Sequence, residues 1–241
     1  MRVHLIAGEA GCTFARENDC VAVVVDALRA SATAAMLLHA GATEILVVQE
    51  VEDALAAKAA DPDALLYGER GGVPPEGFDY GNSPREASHA AGARAILTTT
   101  TGALRVNQAW GAAAIYMGST VNATAIGHAA VTHGRDVVVI PAGLAGELEF
   151  NAQEDWAAAA IVVEAMHSDI GEGAKAFAKM RYRLQAEGIE VLFSTSPHAQ
   201  NLRDIGLEED IAYCAKIDLT DAVPIATERS ERGVRIVEAT D

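Results

Sequence analysis

A chain of 241 residues, half of them hydrophobic, is long enough to bury one sizeable core, and its formal net charge of −16 argues against nucleic acid and anionic membranes as partners. No apolar run approaches the roughly 20 residues of a membrane span, and Glu9 interrupts the opening MRVHLIAGEAG too early for a signal peptide. Cys12, Cys20 and Cys214 show no CxxC spacing and fit a reducing compartment, so a cytoplasmic location is expected.

Short, continuous apolar runs predict buried strands at 3–6, 21–25, 44–48, 64–67, 95–99, 114–117, 137–140 and 191–193. Between them, Ala- and Leu-rich segments predict helices at 31–39 and 51–60, and Pro84 opens one at 84–91. Asn122 and Asn151 are good N-caps for helices at 122–132 and 151–167, and 172–187 is amphipathic and ends before Gly188. From about residue 207 onward the pattern yields no assignment. The alternation predicts a single α/β domain over 1–241, with a predominantly parallel or mixed sheet covered by helices. A strand, polar turn, helix and Gly-Ala pair recur in 21–48 and 95–117, either as an old duplication or, as the commoner case, the ordinary βαβ rhythm.

The turns after the strands carry the chemistry. They read Asp26-Ala-Leu-Arg29-Ala-Ser31, Gly68-Glu69-Arg70-Gly71-Gly72, Thr98-Thr99-Thr100-Thr101-Gly102, Gly118-Ser119-Thr120-Val121-Asn122 and Pro141-Ala142-Gly143. In open parallel sheets, ligands bind at the carboxyl ends of the strands. Asp26, Glu69, Glu154 and Asp155 are carboxylates of the kind that bind magnesium. Arg29 and Arg70 are suited to grip a phosphate or other acid group through paired hydrogen bonds. Glycines such as Gly143 let backbone N–H groups approach a ligand. Each has a plainer reading: Asp26 as a helix cap or partner of Arg29, Glu154 and Asp155 as first-turn acids favoured by the helix dipole. GxSxG, HExxH and the Walker pattern are absent, and of the seven histidines His198 is the one placed to assist acid–base chemistry.

The block Gly68-Glu69-Arg70-Gly71-Gly72 followed by Gly77-Phe78-Asp79-Tyr80-Gly81-Asn82-Ser83-Pro84, with Val25-Asp26-Ala27-Leu28-Arg29-Ala30-Ser31, resembles the 2-phosphosulfolactate phosphatase family. The resemblance continues in order through Thr98-Thr99-Thr100, Gly118-Ser119 with Asn122, Ala142-Gly143, and Asp210 with Tyr213-Cys214. It implies an α/β fold particular to the family and magnesium-dependent hydrolysis of a phosphate monoester on a small sulfonated hydroxy acid. The positions carried over are Asp26, Arg29, Glu69, Arg70, Asn82, Ser83, Thr99, Ser119, Asn122 and the Glu154-Asp155 pair. On this reading Asp26, Glu69, Glu154 and Asp155 are metal ligands and Asn82, Ser83, Thr99, Ser119, Asn122 and Gly143 contact substrate. Either a water or Asp26 itself is the nucleophile. Thr101 and Ala103 depart from the family's TTTNGT run, which opens two further readings: another phosphorylated acid as substrate, or a non-catalytic module that binds such an acid. A homodimer is the base-rate expectation for such a chain.

Overall fold

The computed structural model describes residues 1–147 and 151–240. Nine strands form one sheet: β1 Val3–Leu5, β2 Val21–Val25, β3 Glu44–Val48, β4 Leu65–Gly68, β5 Arg94–Thr98, β6 Ala114–Met117, β7 Val137–Pro141, β8 Pro224–Arg229 and β9 Gly233–Glu238. The helices are α1 Gly8–Glu17, α2 Ala30–His39, α3 Val51–Ala60, α4 Gly102–Gln108, α5 Ala123–Val131, α6 Gln153–Ala165, α7 Ala174–Glu187, α8 Ile189–Ser194, α9 Pro197–Asp204 and α10 Glu208–Cys214. Among the described residues, no helix is long and apolar enough to cross a membrane.

The strand order is β1-β7-β2-β6-β8-β9-β3-β5-β4. The expected parallel pairing exists, but in two blocks: β1, β7, β2 and β6 form one, and β3, β5 and β4 the other. The antiparallel β8–β9 hairpin joins them and is antiparallel to both neighbours, so the blocks run in opposite senses. β2 and β7 are buried along their whole length, as their continuous Val runs predict.

The recurring unit is not an ordinary βαβ crossover, which would join parallel strands of one block. β2–α2–β3 crosses from the first block to the second, and β5–α4–β6 crosses back. β2 pairs with β6 as β5 pairs with β3, each starting first residue against first residue. The two units are thus related by an approximate twofold, with the hairpin between β6 and β3.

The sheet wraps around α1, α2 and α4. One core unites Ala22, Val24 and Met117 of the first block with Ile45, Val47 and Leu97 of the second and with residues of those three helices. α2 is buried from Ala30 to Leu38, as a helix that is apolar all round must be. The opposite face of the first block packs on α5, α6 and α8, and that of the second on α3.

Two sequence expectations change. The run at 191–193 lies in α8, where Leu192 and Phe193 are buried and Val191 is exposed; a short apolar run does not separate strand from helix. The final stretch holds α10 and the hairpin, whose β9 alternates inward Val234 and Ile236 with more exposed Arg235 and Val237.

Gly102 opens α4 where it meets the start of α2. A Cβ there would lie 2.5 Å from the Ala30 Cβ and 2.8 Å from Asp26 Oδ2. Helix propensity alone makes Gly102→Ala stabilising by up to about 1 kcal/mol. Overpacking costs about 1–3 kcal/mol and is expected to win, lowering the urea midpoint. A raised midpoint would mean that the two helix starts have room to part.

Candidate active site

The carboxyl ends of β2, β4, β5 and β7 converge on a cavity of about 410 Å³, lined by Asp26, Arg29, Glu69, Asn82, Thr101 and Gly143 among others. In a flat sheet with opposed blocks, those ends would lie on opposite edges. Wrapping brings them together, and Asp26 Oδ2 and Thr99 Oγ1, from twofold-related turns, both lie against Gly102.

Asp26 caps α2 through Oδ1, which accepts from Ala30 N at 3.1 Å, while its own N–H donates to Ser31 Oγ. The capping reading therefore holds, yet Asp26 also lines the cavity. Burial raises its pKa to about 6; His198 and the Ala30 N–H oppose the rise, and Glu69 and Glu154 add to it.

Glu154 and Asp155 open α6 and are buried behind Asp26. Asp155 accepts from Ala27 N at 2.8 Å and from Gly143 N at 3.0 Å, tying the turn after β2 to the turn after β7. Burial and the neighbouring Glu154 and Asp26 carboxylates hold its pKa well above the ordinary value. Glu154 Oε1 bonds His198 Nδ1, and its Oε2 is buried with no partner among the described residues. His198 stands in the first turn of α9 and lines the cavity. Burial works against its charged form, but the Glu154 hydrogen bond and the charges of Glu154, Asp155 and Asp26 prevail and raise its pKa to about 9.

The arginines part ways. Arg29 lines the cavity, its Nη1 bound to Asp210 at 2.5 Å and its Nη2 to the Gly72 carbonyl at 2.9 Å. Arg70 donates to the carbonyls of Glu69 and Gln49 and to Thr98 Oγ1, and is not among the residues that line the cavity. It holds the turn after β4 in place. Glu69 lines the cavity but has both oxygens engaged: Oε2 accepts from Gly72 N, and Oε1 from the N–H and hydroxyl of Thr100.

Asn82 lines the cavity and is buried, with an Oδ1 that has no partner among the described residues. Ser83 donates to Asp210, and Thr99 Oγ1 accepts from Ala103 N. Ser119 and Asn122 form a capping box, and the Asn122 amide donates to the Ala222 carbonyl. Of the six expected substrate contacts, Asn82 and Gly143 line the cavity, and Ser83, Thr99, Ser119 and Asn122 do not. Of the two departures, Thr101 lines the cavity, whereas Ala103 is buried in the core.

Sequence reasoning missed the contribution of α9, which adds Asn201, Leu202, Asp204 and, at its end, Ile205 to the lining. It also missed the role of Asp210, which stands among three acids in the first turn of α10 and reads there as a dipole residue.

A magnesium ion fits part of this arrangement. Among the described residues no three His, Cys, Asp or Glu side chains converge as a metal cage. The oxygens of Glu69 and Asp155 are committed to N–H and hydroxyl donors, which leaves Asp26 Oδ2 and the orphaned Glu154 Oε2. One or two carboxylates completed by water and substrate phosphate is the usual magnesium set.

His198 makes the site pH-sensitive. Its folded pKa lies above the ordinary 6.5, so its stabilisation is full below that pH and is lost as pH rises through about 9. With divalent cations chelated, the urea midpoint is expected to fall between pH 6.5 and 9, and His198→Gln to reduce the fall. Asp155, also raised, acts in the same direction, so some slope remains. An identical slope in the variant would mean that the ring does not hold the extra proton.

The family described as 2-phosphosulpholactate phosphatase matches residues 11–229. A protein of Carboxydothermus hydrogenoformans named probable 2-phosphosulfolactate phosphatase is 35% identical over 208 residues, 86% of this chain and 86% of its own. Proteins of the same name from Deinococcus radiodurans and Clostridium acetobutylicum are 36% identical over 212 residues and 30% identical over 231, covering 85% and 93% of this chain and 86% and 97% of their own. With its Asp26 turn, its Glu69–Gly72 turn and the wrapped sheet that joins them, this chain belongs to the 2-phosphosulfolactate phosphatase family and is a hydrolase of phosphoric monoesters.

Proposed function

We propose that the protein hydrolyses the phosphate monoester of a small anionic hydroxy acid in a magnesium-dependent reaction, with 2-phosphosulfolactate the substrate named by the family. The observation that carries this reading is the meeting of Asp26, Arg29 and His198 in one cavity. Arg29, fixed by Asp210 and the Gly72 carbonyl, presents its guanidinium to phosphate oxygens. The buried Asn82 Oδ1, without a partner among the described residues, can accept a hydrogen bond from a substrate hydroxyl or a water. His198, kept charged by Glu154, adds positive charge to the phosphate end.

Asp26, supported by Glu154, would hold the cation, which when bound neutralises phosphate oxygens and activates water. Asp26 and Glu154 also repel phosphate on their own, so the cation answers a need the protein side chains leave open. Three buried, free cysteines suit the cytoplasm.

Inorganic phosphate release from 2-phosphosulfolactate is expected with magnesium and not with chelator. Asp26→Asn should lower kcat at least about 100-fold, by loss of charge at the reacting phosphate, with thermal stability kept. Undiminished turnover in that variant would remove Asp26 from the mechanism. Acid-quenched enzyme separates the two nucleophiles: phosphate trapped on Asp26 supports the carboxylate, and none supports water. Thermal stabilisation by the substrate without phosphate release would point instead to a binding module.

A further inference from the structure

Asn82 differs from the other polar residues of the cavity. Asp26, Glu69 and Thr101 each accept a main-chain N–H, from Ala30, Gly72 and Ala145. Arg29 is spent on Asp210 and a carbonyl. The Asn82 side chain is only 3% exposed and lines the cavity, yet its Oδ1 has no partner among the described residues. Buried polar atoms are bonded as a rule, and leaving one unmet lowers stability. An acceptor kept in that state on a cavity wall is suited to a donor that arrives through the cavity.

The mount of Asn82 is rigid and is shared with the phosphate grip. Tyr80 N donates to the Leu66 carbonyl at 3.0 Å, which lays the segment along β4. Pro84 then opens a short 3-10 helix, Pro84–Ala90. Between them, Ser83 Oγ donates to Asp210 Oδ1 at 2.8 Å, while Asp210 Oδ2 takes Arg29 Nη1 at 2.5 Å. One buried carboxylate therefore sets the place of Arg29 and of the segment that carries Asn82.

The two reactants differ in what they offer an acceptor. As the full anion, 2-phosphosulfolactate presents phosphate, carboxylate and sulfonate oxygens, and its hydroxyl is esterified, so it has no proton to donate. Water has two. Resting on the phosphatase reading above, we infer that Asn82 is a catalytic residue that seats the attacking water, its Oδ1 accepting one O–H and turning a water lone pair toward the phosphate held by Arg29. That lone pair forms the new P–O bond. The P–O bond to the ester oxygen breaks, and its electron pair passes to that oxygen. One water proton ends on the released hydroxyl and the other stays on inorganic phosphate, so the amide neither gains nor loses a proton. Its contribution is to hold the second reactant in line, which saves the entropy of a free encounter.

The test is the split between kcat and KM for 2-phosphosulfolactate, measured over a range of magnesium concentrations. Asn82→Ala is expected to lower kcat about 100-fold, the cost of a misplaced reactant. KM and half-saturating magnesium should stay within about 3-fold, because neither the ester nor the cation loses a partner. Asn82→Asp keeps an acceptor of the same shape. It should recover at least about 10-fold of the lost kcat, while its charge raises KM. A raised KM with unchanged kcat in Asn82→Ala would overturn the inference and make Asn82 a substrate contact. Raised half-saturating magnesium would overturn it in favour of a cation ligand. Folded Asn82→Asp no faster than Asn82→Ala would overturn it too, since restoring the acceptor then restores nothing. Phosphate trapped on Asp26 would do the same, because the first attack is then the carboxylate's. Each of these leaves the phosphatase reading standing, whereas folded wild-type protein that releases no phosphate removes both.

Discussion

Asp26, Glu154 and Asp155 are withdrawn from water within one small volume, and the local structure is arranged around the cost of doing so. Main-chain donors meet part of that cost. Asp26 takes the Ala30 N–H, and Asp155 takes those of Ala27 and Gly143. The two Asp155 bonds also tie the turn after β2 to the turn after β7, so there the compensation and the architecture are the same contacts. The remainder falls to His198, whose imidazolium is the one cation bonded to this carboxylate cluster among the described residues. α9 must dock for the cluster to be tolerable, and docking it brings Leu202 and Ile205 to the same cavity.

The wrapped sheet is what makes such a cluster reachable. Two parallel blocks of opposite sense would hold their carboxyl ends apart if the sheet lay flat. The β8–β9 hairpin sets that opposition, and the inner helices set the curvature. α2 and α4 both begin with small residues, Ala30, Ser31 and Ala32 on one and Gly102 and Ala103 on the other, so their starts pack tightly, to the point where Gly102 has no room for a side chain. The approximate twofold then places Asp26 and Thr99 side by side. Each caps the helix that follows it, Asp26 on α2 and Thr99 on α4, and Asp26 also lines the cavity.

What the sequence disclosed follows from what local signals carry. Buried strands such as β2 and β7 are legible because a run of Val has few other uses. The strand-end turns pointed to the place where the cavity lies, because polar residues and glycines collect at those ends. The opposite sense of the blocks was not legible, since no local signal says which strands pair, and the alternating β8–β9 hairpin that decides it lies in the stretch left unassigned. Within the site, residue type did not distinguish Arg29 from Arg70. Both follow a strand, but one meets a buried acid from α10 and the other meets main-chain carbonyls. Ser119 and Asn122 likewise carry polar groups that the fold spends on a cap and on tethering the approach to β8.

Charge balance gives the proposed cation its place. Arg29 is paired with the buried Asp210, so the pair as a whole brings no net positive charge to the cavity even though the guanidinium lines it. His198 offsets only part of the charge on Asp26, Glu154 and Asp155. A phosphate dianion entering this cavity would therefore meet a negative field on top of the −16 of the whole chain. Burial, with a smaller contribution from Glu69 and Glu154, raises the pKa of Asp26 to about 6, so its carboxyl holds a proton longer than usual. A divalent cation relieves the same strain as that proton and must compete with it, so on the proposed reading its affinity strengthens as pH rises through Asp26's titration. Where the cation sits, the sign of the field reverses for the phosphate.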